Sequence, residues 1–393
     1  MIKKVIFILV TSIICFQLNA QVNWTSRTSA PGSWYSVTYG NGLFVAVGSN
    51  AVMTSPDGIT WTSRTSAADN TWYGVTYGNG LFVAVASLGA GNRVMTSPDG
   101  INWTARTPAS FRSWESVTYG NGLFVAVGSN AVMTSPDGII WTSQTPAFFG
   151  GWNSVTYGNG LFVAVGSNIV MTSPNGIIWT PQTSASGFWY SVTYGNGLFV
   201  AVGFNRVMTS PDGIIWTPQT SAPGIFWYRV TYGNGLFVAV DLFLSVVYTS
   251  PDGIIWTPRI SEYQGIWESV TYGNGLFVAV GSNAVMTSNT DVSRLTIDPI
   301  ANQTYTSAAL TPAPLVKDDN TILTLGTHYS VTYTNNTNVG TATVTITGMG
   351  NYAGTKNQTF NITLPAPSAL SYTTPNVFIK DIGITALSPT YQA

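Results

Sequence analysis

Glu115, Glu262 and Glu268 are the only glutamates of this chain, and His328 is its only histidine. Glycoside hydrolysis of the ordinary kind needs two carboxylates roughly 5 to 9.5 Å apart across the scissile bond. Glu115 and Glu268 are the natural pair, because each directly follows a Trp at the same position of a repeat, in its third and seventh copies. Copies that far apart hold the carboxylates beyond that window, although long side chains narrow the gap. His328 lies outside the repeats, so neither a Ser-His-Asp triad nor a histidine-based metal site can be assembled within them. Gly40-Asn41-Gly42 does not open a dinucleotide loop either: Val45 stands where a third Gly belongs, and a strand follows. No cofactor and no metal is expected. What recurs is Asp57, Asp99, Asp137, Asp212 and Asp252, each in the same turn. Spread around a ring, they cannot converge on one substrate, and read as carboxylates accepting backbone N–H groups.

The elements that carry these residues come from one repeat. VTYGNGLFVAV starts at Val37, Val75, Val117, Val155, Val192, Val230 and Val270, every 37 to 42 residues. Within the unit Trp34 to Thr62, Ser36 to Tyr39 is a strand and Asn41-Gly42 supplies a type I′ hairpin turn. Leu43 to Val47 follows, apolar on both faces and so expected to be covered on both. After Gly48-Ser49-Asn50 comes Ala51 to Ser55, then a type I turn at Pro56-Asp57-Gly58 and a fourth strand from Ile59 to Thr62. Four antiparallel strands on tight turns describe a propeller blade, whereas a β-helix has parallel rungs and needs no chain of hairpins. The seventh copy breaks off after Ser288. Asn23 to Thr28 matches the fourth-strand segment Thr60 to Thr65, so the N-terminal strand is expected to complete the last blade and close a ring of seven. The Trp that opens each blade is expected to pack between blades.

Ser55-Pro56-Asp57-Gly58-Ile59-Thr60-Trp61 resembles the Asp-box of the sialidase-like (BNR) propellers. It recurs as SPDGINW from Ser97, SPDGIIW from Ser135, Ser210 and Ser250, and SPNGIIW from Ser173. One residue fewer separates Asp from Gly than in the commonest box, and the fourth copy has Asn175 in place of Asp. The resemblance implies a propeller over Asn23 to about Ser288. It also implies a turn-stabilising role for Asp57, Asp99, Asp137, Asn175, Asp212 and Asp252, away from any active site. A sialidase would need three converging arginines, a tyrosine paired with a glutamate, and an Arg-Ile-Pro strand that is absent here. Arg27, Arg64, Arg106 and Arg259 fall instead at one fourth-strand position, with Gln144, Gln182 and Gln219 in the other copies. That pattern reads as a solvated outer edge.

Charged residues make up 7% of the chain and aromatics 13%, against about 25% charged in an ordinary domain. No Lys lies between Lys4 and Lys317. A ring without a basic patch does not suit nucleic acid. Recognition is expected where the copies differ, in the loops on one face and beside the opening Trp. The ligand-binding candidates are Tyr35, Tyr73, Phe111, Arg112, Glu115, Phe148, Phe149, Asn153, Phe188, Tyr190, Phe226, Tyr228, Arg229, Asp241, Tyr263 and Glu268. Aromatic platforms with few charges suit sugar rings or a protein surface.

Residues 1–20 read as a secretory signal peptide, with Lys3 and Lys4 before the apolar run Val5 to Ile14 and Ala20 at the cleavage position. The run is too short to span a bilayer. Cys15 is the sole cysteine, so the mature chain has no disulfide. The all-β propeller is expected over 21–291. An Ig-like β-sandwich at 292–364 follows, on the resemblance of Tyr305 to Ile362 to modules of bacterial surface proteins. A linker (365–368) and the start of a second such module (369–393) complete the reading. These features favour a secreted or cell-surface, monomeric, non-catalytic binding protein for a glycan or a protein. The alternative is an extracellular glycan hydrolase or lyase using Glu115, Glu268 or Asp241.

Overall fold

The computed structural model describes residues 24–89, 91–220, 225–260, 265–288, 290–318, 321–349 and 352–365. The signal peptide, Tyr263, Glu262 and the segment 369–393 lie outside these residues. The chain divides into two compact units, 1–290 and 291–393.

Among the described residues the first unit contains seven four-stranded antiparallel sheets, each a blade. Six are consecutive in sequence, and blade 1 is typical: Trp34–Gly40, Leu43–Gly48, Ala51–Ser55 and Thr62–Thr65, in that spatial order. The hairpin turn is as expected, with Asn41 at φ 48° and Gly42 at φ 74°. The fourth strand starts later than expected. Trp61 does not join it, because its indole N–H turns back to donate to Gly58 O at 3.0 Å and extends the turn. Blade 7 takes Trp267–Gly273, Leu276–Gly281 and Ala284–Ser288 from the end of the unit and Trp24–Arg27 from its beginning. Trp24 pairs with Ser288 and Arg27 with Val285. The ring is closed as its sequence implied.

The core lies between blades, not within them. Val45, Val47 and Val52 of blade 1 pack with Trp72, Val75, Phe82, Ala84 and Met95 of blade 2. The seven opening Trp residues are each at most 1% exposed, so truncating any one would cost about 3–5 kcal/mol. Two polar devices reinforce the boundaries. Ser36, Ser116, Ser154, Ser191 and Ser269 each accept a hydrogen bond from a Val N–H of the next blade, at 3.1–3.2 Å. Left-handed Asn residues form the second. Asn168 (φ 56°) donates its N–H to Gly187 O at 2.8 Å and accepts from Gly187 N at 2.7 Å.

The second unit is all-β. Gln303–Thr304, Thr355–Thr363, Gly340–Gly348 and Tyr329–Thr334 form one sheet, and Thr296–Ile297, Val316–Asp318 and Thr321–Ile322 another. Val292, Leu295, Val316, Leu323, Tyr329, Val344 and Ile346 make its core. Lys317 pairs with Asp298 at 2.7 Å.

Candidate ligand site at the centre of the ring

One local irregularity, repeated in every blade, builds the site. The first strand slips register between Trp34 and Ser36, and does the same around Tyr73, Glu115, Asn153, Tyr190, Tyr228 and Glu268. A β-bulge leaves one residue unpaired and re-aims its side chain. Trp goes into the blade boundary, and the residue after it is released toward the centre. First strands of adjacent blades pack against one another around the ring, so these seven half-buried side chains converge. The loops before the first strand and after the second leave each blade at this same end, since Trp34 pairs with Gly48 and Gly48 with Ala51.

Contacts between neighbours confirm the convergence. Tyr35 and Tyr73 stack with centroids 4.8 Å apart and planes at 3°. Tyr190 lies 5.8 Å from Tyr228 and 4.8 Å from Phe226. The Tyr228 hydroxyl lies close enough to the Glu268 carboxylate to favour its charged form. Arg229 sits 4.8 Å over the Tyr228 ring and donates to Tyr190 O at 3.1 Å. Asn153 donates to Trp189 O at 2.9 Å. Glu115 accepts from Ser87 of blade 2 at 2.6 Å. Ser87 lies on a second strand, Leu81–Gly89, that is longer in blade 2 than elsewhere.

Electrostatics report the same proximity. Burial, and then the charges of Tyr228, Tyr35, Glu115 and Glu268, push the Tyr73 hydroxyl up to about 12. Burial raises the Glu268 carboxyl, opposed by the charge of Arg229 and the nearby Tyr228 hydroxyl. Tyr228 is likewise raised by burial, against the opposing charge of Arg229.

The loop candidates frame this mouth. Phe149 is 85% exposed and Phe111 70%, with Phe148 and Phe188 also exposed and Arg112 beside them. Phe226 is only half-buried, packed between Phe204 at 5.5 Å and Phe243 at 5.2 Å. Phe204, Phe243, Leu244 and Leu88 extend the exposed apolar surface at this end, and sequence reading missed them. Their signal was the departure from Gly-Ser-Asn in the loop after the second strand. Asp241 does not belong to the site. It is fully buried, and its carboxylate accepts from Phe226 N (2.6 Å), Phe243 N (2.7 Å) and Leu244 N (2.5 Å), which fixes the altered loop of blade 6.

The repeated aspartates lie at the far end of each blade. Asp137 Oδ1 accepts from Ser135 Oγ, Ile139 N and Ile140 N at 2.8–2.9 Å, and Asn175 Oδ1 accepts the equivalent bonds at 3.0–3.1 Å. Backbone N–H groups hold Asp137 and Asp212 below the usual carboxylate range; in Asp57 and Asp252 they outweigh a larger desolvation effect. The arginine and glutamine position of the fourth strand is a correction. Arg64 Nε donates to Thr54 Oγ1 at 3.0 Å, and Gln144 Nε2 to Thr134 Oγ1 at 2.9 Å, so these half-buried groups tie the outer strand to its neighbour. Among the described residues no cluster of three or more His, Cys, Asp or Glu is placed to hold a metal.

No family model and no curated protein matches this chain. Solved structures do. A virginiamycin B lyase from Staphylococcus aureus superposes with a TM-score of 0.61 at 12% identity, over 68% of this chain and 98% of its own. YCF48 from Cyanidioschyzon merolae does so at 0.54 and 16%, over 68% and 98%, and YCF48 bound to D1 peptide at 0.56 and 15%, over 68% and 94%. The ring is a seven-bladed β-propeller. At these identities the likeness is one of fold.

Proposed function

We propose that this is a secreted or cell-surface, non-catalytic binding protein that takes a glycan or protein ligand at the loop end of its propeller. The observation that carries this reading is the convergence of Tyr35, Tyr73, Glu115, Asn153, Tyr190, Tyr228 and Glu268 around one axis. Exposed Phe111, Phe149 and Phe243 surround it. Flat, amphipathic rings at low entropy cost are what a recognition surface uses. YCF48, alike in fold, has been solved bound to a peptide. The second unit acts as a spacer, in keeping with the Ig-like resemblance of Tyr305 to Ile362. Full-length protein should capture a ligand on a glycan array or from an extracellular protein library. A Tyr35→Ala/Tyr73→Ala variant should lose it by tenfold or more. No ligand, or equal capture by the variant, would reject the proposal.

One observation favours a second reading, a hydrolase or lyase. Burial raises the Glu268 carboxyl, and a carboxyl shifted in that direction suits a general acid. Turnover of any glycan by wild type but not by Glu268→Gln or Glu115→Gln would establish it.

A further inference from the structure

The central residues contain an internal duplication. Blades 1 to 3 contribute Tyr35, Tyr73 and Glu115; blades 5 to 7 contribute Tyr190, Tyr228 and Glu268; Asn153 separates the two triplets. The triplets differ at the residue after the middle tyrosine. In the second it is Arg229, whose guanidinium lies over Tyr228, donates to Tyr190 O and opposes the charge of Glu268. This triplet therefore carries its own cation. In the first it is Gly74, which offers no cation, and a Cβ there would be tight, 3.1 Å from Ser116 Cα and 3.2 Å from Val117 N. Glu115 accepts from the Ser87 hydroxyl, and among the described residues no Lys or Arg is within ion-pair distance of it.

We propose that the Tyr35–Tyr73–Glu115 triplet binds the guanidinium group of an arginine presented by a protein ligand, as the second triplet holds Arg229. This rests on the reading of the ring's centre as the ligand site, and narrows its ligand to a protein. A guanidinium stacks on an aromatic face while directing N–H donors to a carboxylate, and is more weakly hydrated than an ammonium. The exposed Leu88 and Phe111 beside this triplet suit a peptide backbone and neighbouring side chains better than a neutral sugar.

Calorimetric titration of the full-length protein with N-acetyl-arginine amide tests this, with N-acetyl-citrulline amide as the neutral isostere and glucosamine as a cationic sugar. The arginine probe should saturate one site with Kd on the order of 1 mM, and citrulline should bind at least tenfold more weakly. Tyr73→Ala and Glu115→Gln, checked for an unchanged melting profile, should each weaken binding tenfold or more. Arg229→Ser, which installs the residue of blades 1, 3, 4, 5 and 7, should raise the stoichiometry from one to two. That variant leaves the first triplet intact and keeps the test decisive if Glu115→Gln folds poorly. Citrulline binding as well as arginine, glucosamine binding more tightly, or an unchanged stoichiometry in Arg229→Ser would each overturn the inference. A neutral ligand captured in a Tyr73-dependent way, with no binding of the arginine probe, would overturn it and leave the broader binding reading standing.

Discussion

Gly120 and Tyr157 are matched across a blade boundary: a Cβ built on Gly120 would overlap Tyr157 Cγ, at a separation far short of the ~3.5–4.0 Å at which carbons pack. The same pair links every blade to the next, and Gly273 with Tyr39 completes the circle. The glycine of the repeated VTYG is therefore a packing residue, while the hairpin turn belongs to Asn121 and Gly122. Gly120→Ala should lower stability by about 2–3 kcal/mol, the cost of overpacking against a stiff ring. Thermal unfolding measures it. Adding Tyr157→Gly, which removes Cβ together with the ring, should cost less than the sum of the single changes, because the clash is then relieved.

Asp137 accepts one hydroxyl and two backbone N–H groups through a single oxygen. Asp137→Ala strands those donors and should cost about 1–2 kcal/mol. Asp137→Asn should stay within about 0.5 kcal/mol, because Asn175 already makes the same bonds in blade 4. The Asp137 carboxyl is held below its ordinary value of 3.8 by the N–H groups of Ile140 and then Ile139. Its charged-state stabilisation is thus complete above that pH and lost as pH falls through the lower folded value. The small advantage of wild type over Asp137→Asn at pH 7 should shrink as pH falls below about 4.

Arginine and glutamine alternate on the fourth strand because both present an N–H to a third-strand threonine. Arg106 Nε reaches Thr96 Oγ1 at 2.9 Å, and Gln182 Nε2 reaches Thr172 Oγ1 at 2.8 Å. Arg106→Gln should be neutral within about 0.5 kcal/mol, and Arg106→Ala should cost about 1 kcal/mol. Urea denaturation of the two variants distinguishes a structural tie from a solvated charge, which would make both changes silent.

Glu268 should show the opposite pH dependence to the turn aspartates. Its carboxyl is raised above the ordinary 4.5 by burial, so the folded protein favours the protonated form. Stability associated with this group is present below that pH and lost as pH rises through the raised folded value. Glu268→Gln should melt at a higher temperature than wild type at pH 7 and at the same temperature near pH 4. A lower melting temperature for the variant at pH 7 would show that Arg229 and Tyr228 outweigh the burial.

Local rules made much of this legible. Asn41-Gly42, the Asp57 turn and the orphan strand at Trp24 each declare themselves through a few adjacent residues, and together they imply a closed ring. The central residues were legible as variable positions beside an invariant Trp. What the residues did not disclose depends on partners distant in sequence. Only the bulge explains why Tyr35 turns toward the centre, where plain strand alternation would aim it into the opposite blade boundary. Only the neighbouring blade explains Gly40, and only the third strand explains Arg64. Asp241 was misleading because a carboxylate among aromatics looks available until its three backbone donors are seen.

The closure at blade 7 joins Arg27 to Thr287, separated by 260 positions in the chain. Loop-closure entropy makes such a contact late to form. During synthesis the strand that finishes the circle emerges first, and its berth against Ser288 is made last. Until then Ala284–Ser288 presents an open edge of the kind to which a foreign strand adds. A chain deprived of Trp24–Arg27 would therefore be primed to accept that strand from a second molecule, making linked rings or short chains.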